Sequence, residues 1–175
     1  MKSNQIYQIG DQAIRLRSKK VIYPTNKATK GLIKKMISVM RKEHLVGIAA
    51  PQVGVNQRVF VTQPRSTKFR DRKHEGKIVI YINPRILRLS KEKDIAYEGC
   101  GSVANAGIFG RVNRSKAVTI QAQNQLGDWF TLKASGFLAR IIQHEYDHLE
   151  GMVFLDRVKD TRSLLGREAY FRKSR

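Results

Sequence analysis

The stretch from Ser135 to Gly151 constrains this chain more than any other, because it pairs an apolar helix with two histidines one turn apart. Ser135 can cap a helix that runs to about Glu150 and is stopped by Gly151. Inside it lies His144-Glu145-Tyr146-Asp147-His148, an HExxH motif. Histidines at i and i+4 share one helical face, near enough to hold a single metal ion. Phe137 and Ile141 occupy that face in the preceding turns, so the imidazoles emerge from a stripe that points into the protein. Glu145 follows the first histidine, placed to take a proton from metal-bound water. The plainer reading gives both histidines ordinary hydrogen-bonding roles. The apolar helix argues against it, as does the fact that two of only four histidines stand at ligand spacing.

Such a helix needs strands to bury it. Apolar residues Leu32, Ile33, Met36, Ile37 and Met40 predict a second helix over 29–43, with Thr25 and Asn26 as candidate caps. Gly47–Gly54 (GIAAPQVG) reads as a loop. Arg58–Thr62 and Ile78–Ile82 are β-branched and aromatic runs, hence strands, with a basic loop or hairpin tip between them. A further short strand is expected at Ile86–Leu89, entered through Asn83-Pro84. Residues 98–114 read as irregular, with a short strand around Ile108–Val112. Ala117–Gln123 alternates, Gly127-Asp128 turns the chain, and Trp129–Leu132 returns as the second arm of a hairpin. A short basic helix is expected from about Thr161. The predicted class is α+β: antiparallel sheets packed around a central HExxH-bearing helix, with a basic C-terminal helix. At 175 residues, the chain is expected to form one catalytic domain spanning 1–175.

Cys100 is the lone cysteine, so no internal disulfide can form, which fits a reducing compartment. No stretch approaches the roughly 20 apolar residues that span a bilayer, and the start lacks the apolar core of a signal peptide. A cytoplasmic protein with no membrane partner is expected. Its 34 Lys and Arg against 14 Asp and Glu give a formal charge of +20. Two segments concentrate it: Pro64–Lys77, with six basic and two acidic residues, and Arg157–Arg175, with seven and two. Such charge keeps a surface solvated, and it also attracts polyanions. The sharper expectation is contact with the ribosome through ribosomal RNA.

Two histidines need a third protein ligand. Cys100 is one candidate, in Glu98-Gly99-Cys100-Gly101-Ser102, where flanking glycines let the backbone approach a metal. A lone cysteine is more often a small buried hydrophobe. The other candidate is Glu168, 20 residues beyond His148, in the spacing of zinc proteases that use a downstream glutamate.

Three ordered segments settle on a pattern. They are Leu45-Val46-Gly47-Ile48-Ala49-Ala50-Pro51-Gln52, then Glu98-Gly99-Cys100-Gly101-Ser102, then Gln143 to Gly151 (QHEYDHLEG). Together they resemble the peptide deformylase family, with its GxGxAAPQ-type loop, EGCLS-type segment and QHExDHLxG helix. Gly10-Asp11 with Ile14-Arg15, Asn83-Pro84 and Val153–Asp156 extend the likeness over nearly the whole chain. The resemblance implies Cys100, His144 and His148 as ligands of one divalent metal. It implies Glu145 as general base and then acid, and Gln52 with the Gly101 N–H as oxyanion donors. Gly47 would line the formyl pocket. The substrate implied is the N-terminal formylmethionine of nascent peptides, with release of formate. Ferrous iron is implied as the native ion; the ligand set also suits Zn2+, Ni2+ or Co2+.

The chain departs from the pattern at Leu45, where the family has glycine, at Gly101, where it has leucine, and at Ala104, near a common proline. Gly101 is expected to loosen the backbone, remove an apolar wall and widen the range of acyl groups accepted. Three other functions fit parts of the sequence: a related hydrolase of another small N-acyl group, a zinc endopeptidase, and a non-catalytic RNA-binding relative.

Overall fold

The computed structural model describes residues 6–66 and 76–173. Most of the basic segment expected as a loop between two strands lies outside them. Four α-helices and eight strands follow in order: α1 (Gln12–Arg15), α2 (Lys27–Lys42), β1 (Gly47–Ala49), β2 (Val59–Thr62), β3 (Val79–Leu89), β4 (Lys93–Gly99), β5 (Ile108–Ser115), β6 (Ala117–Gln123), β7 (Trp129–Ser135), α3 (Gly136–Leu149), β8 (Leu165–Gly166) and α4 (Arg167–Lys173). The class is α+β, with antiparallel pairing in a five-stranded sheet (β1-β2-β3-β6-β7) and a three-stranded sheet (β4-β5-β8). Among the described residues no helix is long and apolar enough to cross a membrane.

Alternation along the strands explains how the helices are arranged. Successive side chains point to opposite faces of a sheet. In β2, Val59 and Val61 join Leu32, Ile33, Met36 and Met40 of α2, whereas Phe60 joins Ala139, Ile142 and Leu149 of α3. Helix α2 therefore covers one face of the five-stranded sheet and α3 the other. That is why all four residues of β2 are buried. The far side of α3 is covered by β5 of the small sheet. Enclosed in this way, α3 buries Gln143, Glu145, Asp147 and His148 along with its apolar residues.

Several boundaries differ from the expectations. Helix α2 begins at Lys27, and Asn26 caps it by accepting from the Thr29 N–H at 2.7 Å. Gly47–Ala49, expected within a loop, pairs with β2 as an edge strand, and a 3-10 turn follows at Ala50–Val53. The two strands expected on either side of Asn83-Pro84 are one strand, β3, carrying an irregularity. Asn83 sits there at φ +51°, and its side chain accepts from the Val21 N–H and donates to the Val21 carbonyl and to the side-chain Oε1 of Gln123. The side chain supplies the bonds that the kinked main chain cannot make. β4 was not foreseen, since the sequence there reads as irregular or polar. Thr161–Gly166 is a 3-10 turn and a short strand, so the C-terminal helix starts only at Arg167. Ser135 stands at the N-terminus of α3 but makes no side-chain cap bond. Gly151 ends the segment at φ +75°, where a Cβ would strike the Arg15 carbonyl.

One polar cluster welds the small sheet to α3. Arg114 on β5 donates to both carboxylate oxygens of Glu98 on β4, at 2.9 Å each, and to Asp147 on α3 at 2.5 Å. The side chains of Arg114, Glu98 and Asp147 are 3%, 5% and 6% exposed. Arg140 adds a bond to Glu98, and Arg157 grips Asp147. Gln143 stitches the same junction, accepting from the Ser115 N–H and donating to the Ser115 carbonyl. Removing one partner of such a buried set leaves uncompensated charge. Arg114→Met should therefore cost about 3–5 kcal/mol, on the order of 10 °C in Tm for a chain of this size. Arg114→Lys should recover only part, because it lacks the two-pronged geometry. A Met variant melting within about 2 °C of the parent would contradict this weight.

Candidate active site

Cys100, just past the end of β4, meets His144 and His148 of α3. Their ligating atoms all lie within 4.8 Å of one another, with Cys100 Sγ 3.2 Å from His148 Nε2. His144 donates its Nδ1–H to Glu98 Oε2 at 2.9 Å, which leaves Nε2 as the free nitrogen of that ring. A carboxylate behind an imidazole fixes ring and tautomer, as metal-binding histidines require. The sulfur accepts from the Ser102 N–H at 3.4 Å and from Gln52 Nε2 at 3.6 Å. One sulfur and two nitrogens this close fit a single metal ion; Cys100 and His144 are held by these bonds, whereas His148 Nδ1 is buried without a partner among the described residues. Glu168, the rival third ligand, is exposed on α4 and outside the cluster.

The electrostatics follow from burial and from the Arg114 cluster. Burial raises the Glu98 carboxyl, but hydrogen bonds from Arg114 and His144 outweigh it and hold the group far below its ordinary value. It is a fixed negative charge. His148 goes the opposite way to its neighbour. Burial, then the positive charges of His144 and Arg114, push it well below the usual histidine value and keep it neutral. For His144, burial is overcome by Cys100 and Glu98, and its affinity for a proton rises.

Glu145 lies beside the cluster with Oε2 buried and without a hydrogen-bond partner among the described residues. Burial pushes its carboxyl up to about 7, while the charge of His144 pulls the other way. A buried acceptor without a partner is costly unless something polar arrives. Gly47 packs directly against it: a Cβ there would lie 2.5 Å from Glu145 Oε1 and 2.8 Å from Ile141 Cγ2. Gln52 is held by the 3-10 turn after β1. Its Oε1 accepts from the Ala49 N–H at 2.8 Å, and its amide nitrogen donates to Ser102 Oγ at 3.2 Å.

These residues line a pocket of about 100 Å³, walled also by Leu45, Tyr97, Phe109, Phe137, Ile141 and Tyr170. A wider groove of about 720 Å³ shares Tyr97, Phe137, Arg140 and Tyr170 with it. Of the residues singled out from the sequence, Gly47, Gln52, Cys100, Gly101, His144, Glu145 and His148 are brought to this one place, and Glu168 is not.

The sequence reading missed two things. Glu98 and Asp147 lay inside quoted motifs without a role, and Arg114 carried no local signal among 34 basic residues. The aromatic wall was also unforeseen: Tyr170 of α4 stacks on Phe109 at 4.1 Å and meets Tyr97 edge-on. The C-terminal helix is part of the pocket rather than a detachable tail. Nor is the space over Gly101 open. A Cβ there would lie 2.9 Å from Ile6 Cδ1 and 3.3 Å from Leu45 Cδ1, so the expected loss of an apolar wall is not found.

The sequence profile of the Polypeptide deformylase family matches residues 3–163. The peptide deformylase of Pseudothermotoga lettingae is 38% identical over 158 residues, spanning 90% of this chain and 84% of that protein. That of Halothermothrix orenii is 41% identical over 155 residues, 88% of this chain and 92% of that one. Solved structures agree. The peptide deformylase of Thermotoga maritima superposes with a TM-score of 0.79 at 36% identity, covering 91% of this chain and 100% of the other. The class I type b enzyme of Acinetobacter baumannii with Met-Ala-Ser bound gives 0.82 at 31% identity, covering 90% and 100%. By sequence and by fold, this chain belongs to the polypeptide deformylase family of enzymes.

Proposed function

We propose that the whole chain acts as one catalytic domain that hydrolyses the N-formyl group from the N-terminal formylmethionine of nascent polypeptides, releasing formate. The observation that carries this reading is the meeting of Cys100, His144 and His148 beside Glu145, Gln52 and Gly47 in a member of this family. Cys100, His144 and His148 would hold one divalent ion, which supplies Lewis acidity and activates water at neutral pH. A thiolate with two imidazoles suits iron, zinc, nickel or cobalt, and the family resemblance favours ferrous iron. Three ligands leave room for a water or substrate.

The remaining steps belong to side chains and backbone. Glu145 takes a proton from the attacking water, whose oxygen bonds to the formyl carbon. Gln52 Nε2 and the Gly101 N–H donate to the oxygen that becomes negative. Glu145 then passes the proton to the amine nitrogen as the carbon–nitrogen bond breaks. Gly47 matters because any side chain there would press on Glu145, so the space beside the base admits only a small acyl group. The adjoining groove gives the rest of the peptide a path, in keeping with a structural relative that holds Met-Ala-Ser.

Formate release from formyl-Met-Ala-Ser, compared with acetate release from the acetyl peptide, tests the reaction. Anaerobically prepared protein should act on the formyl peptide and scarcely on the acetyl one; the reverse preference would transfer the site to another acyl group. Glu145→Gln should keep its metal and lose on the order of 100-fold in rate. Cys100→Ala should lose metal and activity together, and Glu168→Ala neither. Metal lost from the Glu168 variant but not from the Cys100 variant would overturn the ligand assignment.

We also propose that the basic surface draws the enzyme to ribosomal RNA, in the cytoplasm. Arg157 grips Asp147 and Arg167 bonds to the carbonyls of Asn105 and Ala106, so these serve the fold. Lys159, Arg162 and Arg172 are exposed. Reversing those three to Glu should weaken ribosome co-sedimentation steeply at moderate salt and leave short-peptide hydrolysis near the parent rate. Unchanged co-sedimentation would remove the C-terminal segment from the proposal.

A further inference from the structure

Residues 45 and 101 depart from the family pattern in opposite senses, one larger and one smaller, and the structure puts both in the same pocket wall. Nothing in the main chain requires glycine at 101, because its φ lies outside the left-handed region. Space requires it. A Cβ on residue 101 would meet Ile6 Cδ1 at 2.9 Å, then Leu45 Cδ1 at 3.3 Å and Leu45 Cδ2 at 3.6 Å. The volume that a longer side chain at 101 would enter is already taken by Leu45 together with the end of Ile6. Leu45 itself is well seated. It packs against the core beside α2, its N–H donates to the Met40 carbonyl at 2.8 Å, and its carbonyl accepts from Arg65 at 3.1 Å.

The glycine backbone is also held from outside. Gln8 Nε2 donates to the Gly101 carbonyl at 2.9 Å, and Gln8 Oε1 accepts from the Asn105 N–H at 3.1 Å. The Ile9 N–H donates to the Ser102 carbonyl at 2.8 Å. Residues 6–9 thus lie along the segment that bears Gly101, with Ile6 and Leu45 over the glycine itself. The freedom that glycine would confer is taken up by neighbours.

We propose that Leu45 is a positioning residue for the Gly101 peptide. It stands where the side chain of residue 101 would otherwise be, walls the pocket there, and keeps the Gly101 N–H aimed at the reacting carbonyl oxygen. Positions 45 and 101 then form an exchanged pair, in which a leucine at one excludes a leucine at the other. The inference rests on the deformylase reading, through the role given to the Gly101 N–H.

A double-mutant cycle on the metal-loaded enzyme tests it, with formate release from formyl-Met-Ala-Ser as readout and Tm and metal content measured in parallel. Leu45→Gly should lower kcat about tenfold or more at unchanged metal content, because a looser donor weakens stabilisation of the transition state rather than binding alone. Leu45→Met should stay near the parent. Gly101→Ala should be mild, since only the flexible end of Ile6 must move, whereas Gly101→Leu should lose about tenfold or more. The pair Leu45→Gly with Gly101→Leu should return to within about threefold of the parent in kcat and recover the Tm lost by Gly101→Leu alone. If the two losses simply multiply in the double variant, or if Gly101→Leu beside Leu45 matches the parent, the proposal fails. Should the parent release no formate, the deformylase reading fails instead. The Tm cycle then decides the exchange on packing alone: mutual rescue supports it and additive losses overturn it. If Leu45→Gly proves too unstable to assay, Leu45→Ala takes its place with the same expectations.

Discussion

Arg114 is the residue on which the rest of the site depends. The two sheets are separate ladders, and among the described residues no strand pairing joins β4 and β5 to the five-stranded sheet that holds α3. Something else must fix the end of β4 against the HExxH helix. The Arg114 guanidinium does so by spanning Glu98 on one side and Asp147 on the other, with Arg140 and Arg157 closing the two ends. Buried charges are costly to desolvate, so the cluster has value only if every member is paired. Here that condition has a chemical consequence. Glu98, kept anionic by Arg114, is the group that accepts from His144 Nδ1 and orients its ring. The contact that docks the small sheet also orients His144 through Glu98, which lies two residues before Cys100, so the cluster at the site follows from the same few bonds.

Packing around the site shows how substitution and compensation work in a dense interior. Gly47 leaves no room for a side chain because Glu145 and Ile141 are already there. Gly101 leaves room for little beyond a Cβ because Ile6 and Leu45 are there. The two glycines look alike in sequence and differ in cause. One leaves Glu145 its space; the other accommodates a residue from a different part of the chain. Tyr170 makes a related point, since α4 closes the aromatic wall over Tyr97 and Phe109 and so belongs to the pocket.

What could be read from sequence divides along these lines. Helix α3 was legible because both its apolar period and its histidine spacing are local. The hairpin of β6 and β7 was legible for the same reason. β4 was not, since its Lys93, Asp94 and Ile95 are exposed and give no alternation. β3 was divided in two because Asn-Pro usually ends a strand, and only the structure shows Asn83 repairing the break with its side chain. The gathering of Gln52, Cys100 and His144, which lie far apart in the chain, has no local signal. Motif order and family resemblance supplied it. Arg114 had neither aid. At Leu45 and Gly101 both departures were visible, but not that they compete for one space.

The cluster anchored by Arg114 gathers one sulfur and two imidazole nitrogens in an arrangement that fits a single ion. X-ray absorption on the zinc-loaded protein tests it directly. One sulfur at about 2.3 Å and two nitrogens at about 2.0–2.1 Å are expected, with oxygen completing the shell, and the sulfur should be lost in Cys100→Ser. A shell of nitrogen and oxygen alone in the parent protein would contradict it.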